Sequence, residues 1–456
     1  RPKMKSPGFL PKRTCRSMLC SRTCQPVLSI SDIIRLGITG TLKAEPLQDW
    51  VVISWKHIQE NVHKKMMFWW VFLACKYNKL FKYGLIPLAK RNPELAYALW
   101  FECELQKNTQ TFKLLQQVQK SMYNSSAVRT DIFKSKRFCE LLIKIARSPS
   151  QNTVTMHFTT YGATRLPWNP KYIVTDILDF KRLKSASSPL LCTLLILGGH
   201  KIQILIKNED VRTDRLAMNI SYWIATLTDG IIMPIYNVFP LSLGIGVVEM
   251  IPNATTIYEI RKKSTLLNFI MSNCPELKTK TLRERMVSSS AGACLLAFTM
   301  GLGDRHLENI LVTRSGYLVH VDFGYVLGDD PKHAATPMRI TEDMVDAMGG
   351  KNSSTFHSFI QRTQEGYAVM RMHADLWYHL LAAEYYIFQD HSRPPKRIHE
   401  HILNRFVPGE WHSEASLQIQ TVVQQAAETS WVQKLSDFTH SASISLDDLL
   451  NTQRNY

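Results

Sequence analysis

A run of 28 residues between Gly301 and Gly328, GLGDRHLENILVTRSGYLVHVDFGYVLG, leaves this chain few choices of fold and chemistry. Two short apolar runs inside it favour a pair of strands around residues 310–322. Asn309 and Asp322 carry the hard oxygens that Mg²⁺ takes as ligands, with water and phosphate filling its octahedral shell. Phosphoryl transfer also needs a group that orients or deprotonates the attacking hydroxyl, and cations that neutralise the phosphates. The run therefore indicates a site for phosphoryl transfer.

The spacing within this run is close to that of protein kinases, which place a catalytic Asp five residues before an Asn and then DFG. Asp304 lies five residues before Asn309, and Asp322 opens a DFG thirteen residues later, but the triplet at 304–306 reads Asp-Arg-His instead of His-Arg-Asp. This inverted order resembles the phosphatidylinositol 3- and 4-kinases and their giant protein-kinase relatives. GLGDRHLEN, LVHVDFGYVLGDDPK and ITEDMVDAMGG are most similar to the class III phosphatidylinositol 3-kinases of that family.

The resemblance implies an α+β fold, with a bilobal, protein-kinase-like catalytic domain behind an all-helical block. The small amino-terminal lobe would be rich in β-structure and the larger carboxy-terminal lobe helical. By the same resemblance His306 is the base toward the inositol 3-hydroxyl, Asp304 shapes the loop, and Asn309 and Asp322 hold the metal. A histidine, whose unperturbed pKa is ~6.5, suits base catalysis near neutral pH.

Lys207 is the expected phosphate-binding cation of the small lobe. It ends the aliphatic run Ile204–Lys207, where a buried strand would aim its ammonium at a phosphate. KNEDVRTD resembles the family's lysine followed by a DLRQD-type sequence, which implies that Lys207 contacts ATP and that Asp214 lies in the next helix. Without that resemblance Lys207 is equally a surface lysine at a strand end. The loop is one residue shorter than the family's and lacks its common glycine.

The other nucleotide contacts are also implied by resemblance. KSASSP is similar to the family's nucleotide-covering loop, in which Ser185 donates to the β- and γ-phosphates, although alone it is only a serine-rich turn. GVVEMI is similar to the adenine-binding strand and hinge, and a plain core strand would look the same. There the Glu249 carbonyl and the Ile251 N–H would contact adenine. The rest of the expected pocket is Tyr236 behind the base, with Leu311 and Val321 beneath it.

The segment from Asp329 to Arg339, DDPKHAATPMR, faces the lipid headgroup in this family. It holds two acids, two fixed cations and one histidine, so its formal charge is about zero. A bisphosphorylated inositol would need clustered Lys and Arg to offset its phosphates. Unphosphorylated phosphatidylinositol is therefore the expected lipid, with Lys332 and Arg339 directed at its phosphate, and an ordinary solvated loop is the alternative.

Changes of composition and apolar period predict six segments. Two apolar runs around Gly198-Gly199 predict a hairpin, and a carboxy-terminal helix is expected over Ser413–Phe438, with Trp431 and Phe438 either on lipid or packed on their own lobe. The family's lipid-binding C2 domain has no counterpart, which indicates a truncated or divergent form. The expected segments are a basic flexible arm (1–45), a partial helical accessory domain (46–147), a linker (148–175), the kinase amino-terminal lobe (176–251), its carboxy-terminal lobe (252–440) and a tail (441–456).

Composition narrows the class of protein and of partner. An apolar share of 45% rules out disordered and collagen-like chains. The 55 Lys and Arg against 38 Asp and Glu give a charge of +17, which favours nucleic acid, anionic lipid or polyphosphate without choosing among them. Nine scattered cysteines favour a reducing setting, and Cys15, Cys20 and Cys24 lack the paired spacing of a zinc site. Met66–Cys75, the longest apolar run, is too short to span a membrane.

Together these features predict an ATP:phosphatidylinositol 3-kinase that uses Mg²⁺ or Mn²⁺. By resemblance it would be cytoplasmic and peripheral on endosomal membranes, act in lipid signalling and autophagy, and bind regulatory subunits, with no nucleic acid. A phosphatidylinositol 4-kinase or a related serine/threonine protein kinase is the nearest alternative. An inactive pseudokinase scaffold is the alternative from another class, because the loop after Lys207 is short and a C2 domain is missing.

Overall fold

The computed structural model describes residues 28–43, 45–106, 126–183, 188–330, 337–387, 396–407 and 409–428, with the single positions 113, 116 and 117. Ser185, Lys332, the three cysteines of the amino-terminal arm and the two carboxy-terminal aromatics Trp431 and Phe438 lie outside these residues. The described residues form two compact units. One draws on Arg1–Phe180, Thr193–Lys201 and Ala383–Ser392, and the other on Lys181–Cys192, Ile202–Ala382 and Arg393–Tyr456.

The first part of the chain is helical from residue 46 onward, as predicted, but helix α1 also forms within the segment 1–45 that was expected to be a flexible arm. Trp55 and Trp70 are almost fully buried with ring centroids 5.1 Å apart. Pro93 opens a helix where its missing N–H costs nothing, and the Asn92 side chain caps that helix by accepting from the N–H groups of Glu94 and Leu95. The helices are α1 (Ile30–Ile38), α2 (Glu45–Trp55), α3 (Glu60–Lys65), α4 (Met67–Lys76), α5 (Asn78–Leu80), α6 (Ile86–Arg91), α7 (Pro93–Leu105), α8 (Ser126–Arg147) and α9 (Gln151–Tyr161), with a 3-10 turn at Thr41–Lys43 and a π-helical turn at Phe81–Leu85.

The segment 148–175 is more regular than its polar composition indicates. It contains all of α9 and the strand β1 (Thr164–Leu166), and the next strand starts at Asn169. Ser150 caps α9 by accepting from the N–H of Thr153, and Val154 and His157 are buried along one side. Because only two positions of this helix are buried, the sequence shows no clear helical repeat of apolar residues here.

Nine strands are present among the described residues. The predicted hairpin is confirmed: Gly198 and Gly199 adopt φ of 95° and 85°, and the Ile196 N–H closes the turn by donating to the His200 carbonyl at 2.8 Å. The strands after β1 are β2 (Asn169–Arg182), β3 (Leu190–Ile196), β4 (Lys201–Lys207), β5 (Val238–Ser242), β6 (Ile245–Glu249), β7 (Ala254–Thr256), β8 (Ile310–Thr313) and β9 (Leu318–His320).

Antiparallel pairing sets the position of the expected site residues. β4 and β5 both pair with β6, and Lys207 at the end of β4 lies opposite Gly246. A Cβ on Gly246 would come within 2.1 Å of the side chain of Val211, the residue that precedes the helix Arg212–Leu227. Glycine therefore lets β6 pass close to the start of that helix. A separate sheet has the order β7-β8-β9, and its β8–β9 hairpin is the strand pair predicted around residues 310–322.

A long buried helix, α13, carries the chain to the site. Its residues from Met286 to Met300 are all buried, and it packs against α10 and α15. It ends at Gly301, whose left-handed φ of 61° turns the chain into the loop before β8. The helices of this part are α10 (Arg212–Leu227), α11 (Ile257–Arg261), α12 (Leu266–Asn273), α13 (Thr279–Met300), α14 (Glu342–Ala347), α15 (Ser354–Arg371), α16 (Ala374–Ile387), α17 (Lys396–Phe406) and α18 (His412–Ala427).

The α+β architecture behind a helical block is therefore confirmed. The described part of the predicted last helix ends at Ala427, with Ile419, Val423 and Ala426 buried and the helix packed against α15. Among the residues that the structure describes, no helix has the length and apolar character needed to cross a membrane.

Candidate active site

The loop from Gly301 to Asn309, here called the catalytic loop, folds back on itself. The Asn309 side-chain amide donates to the Asp304 carbonyl at 3.0 Å, and the Asn309 N–H donates to the His306 carbonyl at 3.0 Å. Asp304 adopts a φ of 51°, a conformation that non-glycine residues seldom take and that persists only where surrounding contacts hold it. The predicted base, its acidic neighbour and the predicted metal ligand are therefore brought together within one turn.

His306 has a polar neighbour near each of its two ring nitrogens. Its Nδ1 accepts the N–H of Glu308 at 3.3 Å, and its Nε2 lies 3.8 Å from Asp304 Oδ2. The second distance is too long for a hydrogen bond, so Asp304 acts on the imidazole through its charge. His306 thus lies beside a carboxylate, and its role as a base stays a prediction.

The second part of the site is the segment Val321–Asp330, here called the DFG segment. The Val321 N–H donates to the Asn309 carbonyl at 3.1 Å, so the two predicted metal ligands, Asn309 and Asp322, sit on adjacent stretches of backbone. Asp322 is exposed and has a left-handed φ of 59°, while Phe323 beside it is fully buried. The aromatic side chain anchors the segment, and the carboxylate is left facing out of the core.

The donor set fits a Mg²⁺ or Mn²⁺ ion. Because the amide nitrogen of Asn309 is used by the Asp304 carbonyl, its oxygen is the atom left to coordinate. With the Asp322 carboxylate it offers the oxygen ligands that Mg²⁺ prefers, to be completed by water and phosphate. No group of three or more His, Cys, Asp or Glu side chains in the described part of the chain could hold a metal alone.

Lys207 reaches the site from β4 as a buried cation. Its Nζ lies 2.8 Å from Glu209 Oε1 and 4.0 Å from Asp214 Oδ1. Burial by itself would lower the pKa of Lys207, but the charges of Asp214, Asp322 and Glu209 outweigh it and the pKa is raised. Lys207 is therefore a positive charge that feels the DFG carboxylate, and its contact with phosphate stays a prediction.

Asp214, in the first turn of α10, is almost fully buried. Burial raises its pKa to about 6, against the attraction of Lys207, and the charges of Asp322 and Glu209 raise it further. Tyr236 is also buried, and its hydroxyl has no hydrogen-bond partner among the described residues. Burial, followed by the charge of Asp214, raises the pKa of Tyr236 well above its ordinary value. Both groups lie close enough to Asp322 to feel its charge.

The expected adenine side of the cleft has a suitable backbone. The Met250 N–H is used by the Gln203 carbonyl at 2.9 Å, whereas the Ile251 N–H forms no hydrogen bond with any described residue. The Glu249 side chain accepts from the Asn237 amide at 2.9 Å, which holds it against its own strand pair. Leu311 and Val321 are partly exposed, as the floor of an open slot requires. Their contacts with a nucleotide stay predictions.

Arg305 is a part of the site that sequence reasoning missed. It is 8% exposed, and its guanidinium donates to three backbone carbonyls: Gly303 at 2.8 Å, Val321 at 2.8 Å and Asp322. It also lies over the Phe323 ring, 5.6 Å from the centroid. Burial lowers its pKa, although Asp322 and Asp304 act in the opposite direction. The only sequence signal was an arginine placed between two expected catalytic residues.

Most of the described site residues meet in the same region, since Lys207, Asp214, Tyr236 and Arg305 all feel the charge of Asp322. Arg339 is partly buried two residues before Thr341, the cap of α14. Its contact with a lipid phosphate stays a prediction, as do the roles of Ser185 and Lys332.

A small β-rich lobe supplies Lys207, and a helical lobe supplies the catalytic loop and the DFG segment, to this candidate site. Residues 261–388 match the family model "Phosphatidylinositol 3- and 4-kinase", and this match agrees with the bilobal α+β architecture.

The chain is similar to phosphatidylinositol 3-kinases over about half of its length. It is 31% identical over 225 residues to "Phosphatidylinositol 3-kinase VPS34" of Candida glabrata, covering 46% of this chain and 25% of the relative. The VPS34 protein of Arabidopsis thaliana is 30% identical over 235 residues, or 48% of this chain and 29% of the relative. The human "Phosphatidylinositol 4-phosphate 3-kinase C2 domain-containing subunit beta" is 30% identical over 255 residues, or 50% and 16%. The chain thus spans less than a third of the length of these relatives.

Proposed function

We propose that this chain is an ATP-dependent lipid kinase that phosphorylates the 3-hydroxyl of phosphatidylinositol. One observation carries the proposal: Lys207 of the small lobe feels the charge of Asp322, and Val321, next to Asp322, is hydrogen-bonded to Asn309 of the catalytic loop. A base, an oxygen-rich metal site and a buried cation are the three groups that phosphoryl transfer requires. The names of the relatives support the 3-hydroxyl of an inositol lipid as the acceptor.

In this mechanism each residue has a separate task. His306 accepts the proton of the attacking hydroxyl, and Asp304 stabilises the imidazolium that forms. Lys207 binds the phosphates and offsets negative charge that grows on the transferred group. Asn309 and Asp322 would hold Mg²⁺ or Mn²⁺, which would neutralise negative charge on the phosphates.

The near-zero charge of Asp329–Arg339 supports unphosphorylated phosphatidylinositol as the lipid, because clustered cations for extra phosphates are absent from its sequence. By similarity to the VPS34 proteins we place the enzyme on the cytoplasmic face of endosomal membranes, with regulatory subunits as further partners. These two assignments rest on the relatives and on the family resemblance.

The test is transfer of labelled phosphate from ATP to vesicles of phosphatidylinositol, with phosphatidylinositol 4-phosphate vesicles and a peptide in parallel. His306→Ala should lower the rate by ~10²–10⁴-fold, the usual contribution of a general base. Asp322→Asn should abolish metal-dependent transfer. The matched controls are His412→Ala and Asp229→Asn, two exposed residues away from the site. An unchanged rate for His306→Ala would remove that residue from its role.

One observation favours the pseudokinase alternative. The Lys207 ammonium lies nearer to Glu209 than to Asp214, so a carboxylate already pairs with the cation that would bind phosphate. If the wild-type protein binds ATP with metal and transfers nothing to any acceptor, the scaffold function is correct. Product labelled at the 4-hydroxyl, or on the peptide, would instead establish one of the two kinase alternatives.

A further inference from the structure

We propose that Arg305 is a positioning residue that sets the direction of the Asp322 carboxylate and so prepares the metal site before nucleotide binds. The proposal rests on the proposed function, because it gives Asp322 the role of metal ligand. It assigns to Arg305 a task that is separate from proton transfer and from phosphate binding.

The argument starts from the backbone of Asp322. Two guanidinium N–H groups of Arg305 donate to the carbonyls of Val321 and Asp322. These carbonyls belong to the peptide planes on either side of the Asp322 Cα, so holding both planes fixes the two dihedral angles between them. Asp322 has a φ of 59°, a conformation that a non-glycine residue keeps only when its surroundings impose it. Arg305 is the side chain that imposes it.

The third bond connects this arrangement to the catalytic loop. Arg305 Nε donates to the Gly303 carbonyl at 2.8 Å, one residue before Asp304. The same planar group therefore holds the DFG segment against the loop that carries His306 and Asn309. Phe323 supports it from one side, with its ring centroid 5.6 Å from the guanidinium carbon. A cation over an aromatic face gains further attraction, and more so when water is excluded.

Lysine would not replace this arginine. A guanidinium presents its donors in a rigid planar fork, whereas an ammonium is a compact charge on a flexible stem. Three carbonyls from residues 303, 321 and 322 need donors in fixed relative directions. Arg305→Lys keeps the positive charge and loses the fork, so it separates the geometric role from a purely electrostatic one.

The experiment measures nucleotide binding by calorimetry in EDTA and again with Mn²⁺, using ADP so that no transfer occurs. Replacing outer partners of metal ligands typically costs 10–100-fold in metal affinity. We expect Arg305→Lys to lose about 10-fold or more of the gain in ADP affinity that Mn²⁺ gives, with little change in EDTA. Arg285→Lys is the matched control, since Arg285 also donates to a carbonyl, of Ser315, and lies over a ring, of Tyr317.

Three outcomes are decisive. A folded Arg305→Lys protein with the wild-type gain from Mn²⁺ overturns the proposal, and so does an equal loss with and without metal, which indicates general damage to the pocket. Wild-type protein that shows no gain from Mn²⁺ overturns the proposed function itself, and with it the metal role of Asp322. The wild-type arm thus distinguishes the two failures.

A second measurement keeps the proposal testable if Arg305→Lys does not fold. Hydrogen exchange of the wild-type peptide covering residues 319–325 should be slow without nucleotide and change little when ADP and Mn²⁺ are added. A large gain of protection on adding them would mean that the ligand, and not Arg305, orders the DFG segment, and would overturn the proposal.

Discussion

The two carboxylates beside Lys207 allow a direct test of how this cleft binds a nucleotide. The nearer is Glu209, at 2.8 Å, and the farther is Asp214, at 4.0 Å. An incoming triphosphate must replace Glu209 at the ammonium and must also approach its negative charge. Glu209→Gln should therefore strengthen ATP binding, which is the opposite of what removing a phosphate-binding residue does.

The size of the effect follows from the geometry. At an effective dielectric constant of ~20, two unit charges at the 2.8 Å separation attract by about 6 kcal/mol. The Glu209 side chain is 41% exposed, so water and salt screen most of this attraction, and exposed pairs retain about 0.2–1 kcal/mol. Because the Lys207 side chain is only 11% exposed, we take the upper end of that range. About 1 kcal/mol corresponds to roughly fivefold tighter ATP binding.

The assay is the dissociation constant of ATP with Mg²⁺, together with the KM for ATP in lipid phosphorylation, at about 50 and about 500 mM salt, between which the Debye length shortens roughly threefold. The gain should shrink at the higher salt. Glu259→Gln is the control, since Glu259 pairs with Lys262 at 2.9 Å on an exposed surface. If Glu209→Gln binds ATP more weakly than wild type, Glu209 orients Lys207 instead of competing for it, and the reasoning is wrong.

Two further predictions concern packing and pH. Gly303→Ala would place a Cβ 2.1 Å from the Asp329 carbonyl oxygen, so it should push the catalytic loop and the DFG segment apart. We expect it to destabilise the domain by ~1–3 kcal/mol and to lower the rate of transfer. Gly244→Ala is the control: its Cβ would have open space around it, so neither thermal unfolding nor the rate should change. Asp214 has a pKa raised to about 6 from an ordinary value near 3.8, so its contribution to stability falls as the pH rises from about 3.8 to about 6 and stays constant above that. Asp214→Asn should therefore stabilise the protein more at pH 7.5 than at pH 5, by about 1 kcal/mol, and an equal shift in denaturation midpoint at the two pH values would contradict this.

The site residues that could be predicted from the sequence are those whose positions follow from short-range structure, such as a hairpin or the end of a strand. Asn309 and Asp322 flank a hairpin in which Ile310 pairs with His320, so closing the hairpin brings both ends together whatever the rest of the chain does. Lys207 was predictable for a similar reason, because an aliphatic strand delivers its last residue to a definite edge. The hairpin turn at Gly198-Gly199 is another local signal that was confirmed.

The contacts that could not be predicted are those made to the main chain or set by loop geometry. Arg305 binds the carbonyls of residues 303, 321 and 322, and a carbonyl is present at every position, so nothing in the sequence marks which ones it reaches. The preference of Lys207 for Glu209 depends on the path of a short loop. The helix α9 was missed because its burial is limited to a few positions, which leaves the polar composition of the segment dominant.

The catalytic loop and the DFG segment are joined by their backbones along most of their length. The Leu327 N–H donates to the Met300 carbonyl at 2.7 Å, the Gly328 N–H to the Gly301 carbonyl at 2.9 Å, and the Gly303 N–H to the Tyr325 carbonyl at 3.0 Å. Side chains at 301 and 303 would collide with the neighbouring segment, so glycine is needed for this approach. The spacing of Asp304, Asn309 and Asp322 in the sequence therefore reflects two segments whose backbones are hydrogen-bonded to each other. It indicates a three-dimensional site because main-chain hydrogen bonds, together with the Arg305 side chain, hold the catalytic loop and the DFG segment side by side.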